Sequence, residues 1–186
     1  MACDERLAER VRQGLEPPTL RVYAWRCPAV TLGRRQQARE VTDSRDVAGL
    51  PLVHRPTAGG AVLHMLDELT YAAAFPRAIV PARIRFSDVP GAVHASFRDR
   101  LAQEETAVGP YLDLVRENFS GPRSFCFSAP VRGDLLYRGR KVAGAALRVW
   151  RDGFLIQGSV QGLPVHRPVL ERTLFEALAV TLPLRR

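Results

Sequence analysis

The chain has 186 residues, 46% of them hydrophobic, which is enough for one domain with a sizeable core. No apolar run approaches the ~20 residues of a membrane span. The charged N-terminus MACDERLAERVRQG also lacks a secretion signal's apolar stretch, so a cytoplasmic location with no membrane partner is expected. The formal charge of +8 predicts an acidic partner. Nucleic acid is not the expected one: the arginines are scattered, and no recognition-helix, zinc-finger or RNA-binding signature appears. A small acidic protein fits the charge equally well. Cys3, Cys27 and Cys126 are odd in number and widely spaced, which argues against a disulfide framework and against a CxxC metal pair. No metal site is predicted.

In chain order, residues 2–13 read as an amphipathic helix with Leu7 and Val11 on one face. Residues 20–25 alternate as a strand, and Ala29 to Gly33 form a second after a turn. Glu40 to Ala48 reads as a helix. Leu52 to Arg55 is a strand entering the loop Pro56-Thr-Ala-Gly-Gly60. Ala61 to His64 and Leu69 to Ala74 are expected to pair as a hairpin. Phe97 to Ala107 and Pro110 to Asn118 read as helices. Leu135 to Tyr137, Lys141 to Trp150 and Phe154 to Val160 read as sheet strands, and Pro168 to Ala179 as a closing helix. The elements alternate without a regular βαβ rhythm, which predicts a mixed sheet rather than a doubly wound one.

Three segments could carry chemistry. In Arg55-Pro-Thr-Ala-Gly-Gly-Ala-Val-Leu-His64, the glycine pair lets backbone approach a ligand, and Arg55 is placed to meet an anion or a carbonyl. The plainer reading is a turn between strands. In Ser124-Phe-Cys-Phe-Ser-Ala-Pro130, Cys126 is either a packing residue between aromatics or a nucleophile. The third is Gly139-Arg-Lys-Val-Ala-Gly-Ala-Ala-Leu147, followed by Gly153-Phe-Leu-Ile-Gln-Gly-Ser159. The chain holds 27 basic side chains, and only Lys141 is a lysine. Either this is an accident of an arginine-biased sequence, or Lys141 does something that needs a compact ammonium. Gly144 and Ala145 leave room beside it for something flat or extended, such as an acyl chain.

Taken together, these segments resemble the lipoate–protein ligase and octanoyltransferase family, whose fold is shared with biotin–protein ligase. VYAWRCPAVTLGRRQ resembles the family's aromatic strand and Leu-Gly-x-x-Gln segment. HRPTAGGAVLH resembles its arginine–glycine loop, and DELTYA the strand after it. CFSAPVRGDLLYRGRKVAGAALR resembles the segment that carries its lysine, and LIQGSV stands where the family usually has Leu-Gln-His-Gly-Ser. The chain departs from the pattern at His54, Ala58, Met65, Leu147 and Gln157.

The resemblance implies an α/β (α+β) fold: a single mixed-sheet catalytic domain over residues 1–186, with flanking helices and no accessory C-terminal domain. It implies acyl transfer through a thioester on Cys126, with Lys141 assisting. Arg55, Thr57, Gly59, Gly60, Ala61 and His64 from the loop, and Gly144, Ala145, Gln157 and Gly158 from the strands, would bind the acyl substrate. The implied donor is octanoyl-acyl carrier protein. The implied acceptors are lipoyl domains, those of the glycine cleavage H protein and of 2-oxoacid dehydrogenase acyltransferase subunits. No cofactor is implied. ATP and Mg²⁺ belong to the alternative of ATP-dependent lipoate ligation, and a non-catalytic carrier-binding homologue is the remaining alternative.

Overall fold

A computed structural model describes residues 1–41, 47–104, 107–117 and 125–182. Helix α1 (Ala2–Arg12) carries Asp4 and Glu5 in its first turn and Arg10 and Arg12 in its last, charges that complement the helix dipole. Strands β1 (Thr19–Tyr23) and β2 (Ala29–Leu32) follow, then β3 (Leu52–His54), β4 (Val62–His64) and β5 (Leu69–Pro76). Helix α2 (Val89–Gln103) precedes β6 (Leu112–Leu114), β7 (Leu135–Tyr137), β8 (Arg140–Val149) and β9 (Gly153–Val160), and α3 (Arg167–Thr181) closes the order.

Among the described residues the strands form two sheets. The larger has the order β1-β5-β9-β8-β7-β6, with every neighbouring pair antiparallel. The smaller has the order β3-β2-β4, and its β2–β3 pair is parallel. The expected mixed α/β architecture is therefore present, with a parallel strand pair in the small sheet.

Period-two alternation divides the large sheet's faces. Tyr71, Ala73, Phe75, Phe154 and Ile156 pack against α2 and α3 in the main core. Ala72, Ala74 and Leu155 point the other way, onto Ala8 and Val11 of α1. The small alanines allow this helix to approach closely. Arg12 anchors its far end by a salt bridge to Asp152 at 2.7 Å, in the turn between β8 and β9.

Several expectations need correction. β4 and β5 are not a hairpin: β4 pairs with β2, and β5 with β1 and β9. The turn between them passes the chain from one sheet to the other, and the Glu68 carboxylate holds it by accepting from the Met65 N–H at 3.2 Å. Among the described residues no α-helix runs from Pro110, and Asn118, where that helix was expected to end, lies outside them. A 3-10 turn over Gly109–Tyr111 leads into β6, because Leu112-Asp-Leu114 alternates and pairs with β7. Helix α2 starts eight residues before Phe97, with proline tolerated in its first turn. Of the helix expected over Glu40 to Ala48, the described part holds a 3-10 turn at Ala38–Glu40, and residues 42–46 lie outside the described residues. No helix of the structure is long and apolar enough to cross a membrane among the described residues.

Gly158 tests the packing of the two central strands. A Cβ there would lie 2.3 Å from the Tyr71 ring, which is fully buried. Gly158→Ala is expected to lower stability by about 1–3 kcal/mol through overpacking. Chemical denaturation will read this as a lower midpoint with an unchanged slope.

Candidate active site

A cavity of about 180 Å³ lies between the two sheets. The large sheet contributes Thr70, Gly144, Ala146, Gln157 and Ser159, which share the face that α1 covers further along. Opposite them stand Arg55, Gly59, Gly60, Val62 and His64 of the small sheet and its loop. Phe125, Cys126 and Phe127 form the rim. The sequence-predicted residues therefore converge, with three exceptions: Lys141, whose side chain is fully buried beside Cys126 and does not line the cavity, and two residues of the glycine loop. Thr57 and Ala61 are fully buried behind the wall. Thr57 Oγ1 donates to Gln157 Oε1 at 2.9 Å, and the Ala61 carbonyl accepts from the Cys126 N–H at 2.7 Å.

That backbone bond, with the Ala61–Phe125 bridge, ties the cysteine turn to the glycine loop. Ser124 lies outside the described residues. Cys126 is half-buried, whereas Cys3 and Cys27 are exposed, and all three are free thiols. Lys141 rises from β8 beside Gly144. A Cβ at Gly144 would lie 2.6 Å from the lysine Cε and 2.8 Å from Nζ, so only glycine leaves the lysine its place. Its Nζ donates to Cys126 Sγ at 3.2 Å and to the Cys126 carbonyl at 2.9 Å. The third acceptor is Asp134 Oδ2, at 2.6 Å. The Phe127 ring closes over the same ammonium, 5.1 Å from its centroid.

Asp134 was not anticipated. It is 3% exposed and sits in a turn whose Val131 N–H donates to its Oδ2 at 2.7 Å. The turn is braced from behind by buried His94, whose Nδ1–H donates to the Gly133 carbonyl at 2.6 Å. Burial holds His94 below its ordinary pKa, which suits a neutral ring in that role.

Arg55 is 6% exposed, and its guanidinium is spent on the loop. It donates to the carbonyls of Ala58 at 2.8 Å, Gly60 at 2.7 Å and Thr31 at 3.1 Å. Burial draws its pKa down from the ordinary value, and the charge of a Cys126 thiolate acts in the opposite direction. Gly59 takes φ +98° to make this loop, and Gly33 lets it close, since a Cβ there would meet the Gly59 carbonyl oxygen at 1.9 Å. His64 is locked between Glu68 Oε1 at 2.5 Å and Thr31 Oγ1 at 2.8 Å, with Trp25 stacked on its ring.

Gln157 has a partner that sequence reasoning missed. Its Nε2 donates to Asp4 Oδ2 at 2.7 Å. Asp4 is fully buried and also accepts from Arg21 at 2.6 Å and Tyr23 at 3.0 Å. The first turn of α1 thus holds Gln157, and Gln157 holds Thr57 at the start of the glycine loop.

This arrangement sits in a fold with known relatives. Residues 1–161 match the lipoyl protein ligase A/B catalytic domain, and the chain belongs to that family. It is similar to the octanoyltransferase LipM of Exiguobacterium sp., with 35% identity over 177 residues, covering 91% of this chain and 63% of that protein. It is 36% identical over 167 residues to the LipM octanoyltransferase of Moorella thermoacetica, covering 86% of this chain and 59% of that protein. The chain spans less than two thirds of the length of either relative. Among solved structures, lipoate-protein ligase A bound with ATP superimposes with a TM-score of 0.71 at 18% identity, covering 98% of this chain and 79% of that one. The bi-partite lipoate protein ligase of Thermoplasma acidophilum gives 0.62 at 18% identity, covering 98% and 80%. At these identities the structural matches establish the fold.

Asp4→Ala should destabilise the chain by about 1–3 kcal/mol, because buried donors lose their acceptor. It carries a second signature. Burial first, then the Asp4 charge and hydrogen bond, raise the Tyr23 phenol above its ordinary pKa. With the carboxylate gone, spectrophotometric titration should find that phenol ionising at lower pH than in the parent.

Proposed function

We propose that the chain transfers an octanoyl group from octanoyl-acyl carrier protein to Cys126, and from Cys126 to a lysine of a lipoyl domain. The carrying observation is the Lys141 Nζ to Cys126 Sγ contact of 3.2 Å at the rim of the cavity. The similarity to octanoyltransferases favours the same reading. The lipoyl domains of the glycine cleavage H protein and of 2-oxoacid dehydrogenase acyltransferase subunits are the acceptors this reading names.

The chemistry divides into two steps. Cys126 Sγ attacks the donor's thioester carbonyl, the bond to the carrier sulfur breaks, and the carrier leaves as a thiol. The acceptor's lysine amine then attacks the acyl-cysteine, the new C–N bond forms, and the cysteine sulfur leaves with the amine's proton. In both steps negative charge builds on the carbonyl oxygen. The Lys141 ammonium, already hydrogen-bonded to Cys126 before the reaction, is the donor this reading assigns to that oxygen. A cavity of about 180 Å³ suits a single alkyl chain, since an apolar cavity of about 150 Å³ already accepts benzene. Thioester exchange needs no ATP. The basic surface suits two acidic protein partners, by speeding encounter.

Incubation with octanoyl-acyl carrier protein should add one octanoyl group, released by hydroxylamine. Cys126→Ser should abolish the adduct, while Cys3→Ser and Cys27→Ser leave it intact. An unlabelled parent that nevertheless lipoylates an acceptor with ATP, Mg²⁺ and free lipoate would overturn the reading in favour of ligation. Binding of a lipoyl domain with no turnover in either assay would assign a carrier-binding role instead.

Lys141→Arg keeps the charge but places a planar, bulkier group against Gly144. Transfer to a lipoyl domain should fall by about 10²–10³, the usual effect of losing one oxyanion donor. Near-parental turnover in this variant would remove the lysine from the mechanism.

A further inference from the structure

The proposed reaction places an amine inside its own active site. Lys141 Nζ lies 3.2 Å from Cys126 Sγ, and the carbonyl carbon of an acyl-cysteine is one bond from that sulfur. A neutral Lys141 amine would be better placed to attack than any acceptor arriving from solution. Attack would form a C–N bond, break the C–S bond, pass the amine's proton to the departing sulfur and leave an amide on Lys141. Amides do not return to the cysteine, so this event would end the enzyme's activity.

The structure holds a group suited to preventing it. An ammonium has three donors and no lone pair. The three acceptors around Lys141 are Asp134 Oδ2 at 2.6 Å, the Cys126 carbonyl at 2.9 Å and Cys126 Sγ at 3.2 Å. Among the described residues three protons meet three acceptors, and of these Asp134 brings the full negative charge once the sulfur is acylated. The lysine side chain is fully buried and its partner carboxylate nearly so, so solvent supplies no alternative counter-charge. Asp134 is itself held by Val131 N–H and by the His94–Gly133 brace, so it does not follow the ammonium if that group moves.

We propose that Asp134 is a positioning residue that keeps Lys141 protonated and thereby protects the acyl-enzyme from transfer to its own lysine. The inference rests on the Cys126 thioester reading. Lys141 is the only lysine of the chain, so an amide-linked adduct has one side-chain address.

The test compares the parent with Asp134→Asn after incubation with octanoyl-acyl carrier protein, using intact mass before and after hydroxylamine and peptide mapping of what remains. The parent should carry a hydroxylamine-labile octanoyl group on Cys126. The variant, which keeps an oxygen to accept from Val131, should convert at least ten times faster to a hydroxylamine-resistant octanoyl group mapped to Lys141. A merely structural role for Asp134 would reduce labelling without moving the label. A variant that forms the labile adduct and never the resistant one overturns the inference and leaves the thioester reading standing. A parent that takes up no labile group removes both. If Asp134→Asn does not fold, isolated parent acyl-enzyme is taken to high pH. Transfer of the label to Lys141 there supports the inference, and retention of the label on Cys126 overturns it.

Discussion

A buried ammonium with three short-range acceptors sets the terms for everything around it. Lys141 reaches the interior because Gly144 has no side chain to exclude it, and it stays because Asp134 supplies an anion at 2.6 Å. An isolated charge in that position would be costly, whereas a paired and hydrogen-bonded one is tolerated. Arginine could not substitute, since a planar fork cannot direct three donors to a carboxylate, a carbonyl and a sulfur clustered about one atom. The turn that carries Asp134, the histidine behind it and the cysteine turn in front of it can all be understood as the housing of this one cation.

The cavity depends on a different set of ties. Two sheets stand apart around a cavity of about 180 Å³ and are tied against sliding. The Thr57–Gln157 bond spans the gap from the small sheet's loop to the large sheet, and the Asp4–Gln157 bond fastens that bridge to α1. Arg55 draws the loop carbonyls inward on one guanidinium. The cysteine turn is bound to the same loop through Ala61. The cysteine turn and the cavity wall are thus fastened to one another, and under the proposed reaction such fixed placement is the condition in which proximity contributes most to rate.

What was legible in the sequence follows from what each residue reports about its surroundings. Lys141 stood out because every other basic side chain is arginine, and Cys126 because it lies between two aromatics in a segment that resembles the family's. Five of the large sheet's six strands were legible because alternation or continuous burial leaves a one-dimensional trace, whereas the three residues of β6 were read as part of a helix. Partnership leaves none, so β4 and β5 were read as a hairpin although they belong to different sheets. The start of α2 was obscured by Pro90 and Gly91, which usually mark breaks. Asp134 and Asp4 were invisible for a common reason. A carboxylate in a turn, or in the first turn of a helix, is normally satisfied by water or by the helix dipole, and nothing local says that it is buried. Gln157 was singled out as a departure from the family's histidine, but its anchor on Asp4 lies 153 residues away.

The singular lysine has a consequence for how the molecule can be handled. A lysine-specific protease has one bond to cut, between Lys141 and Val142, both buried in a strand flanked on either side within the six-stranded sheet. Fraying at the chain ends exposes no such bond. Cleavage has to wait until β8 leaves the centre of the sheet, so the rate of appearance of two fragments measures the opening of that centre and nothing else. The buried lysine is thereby also a built-in reporter of the stability of the sheet's centre.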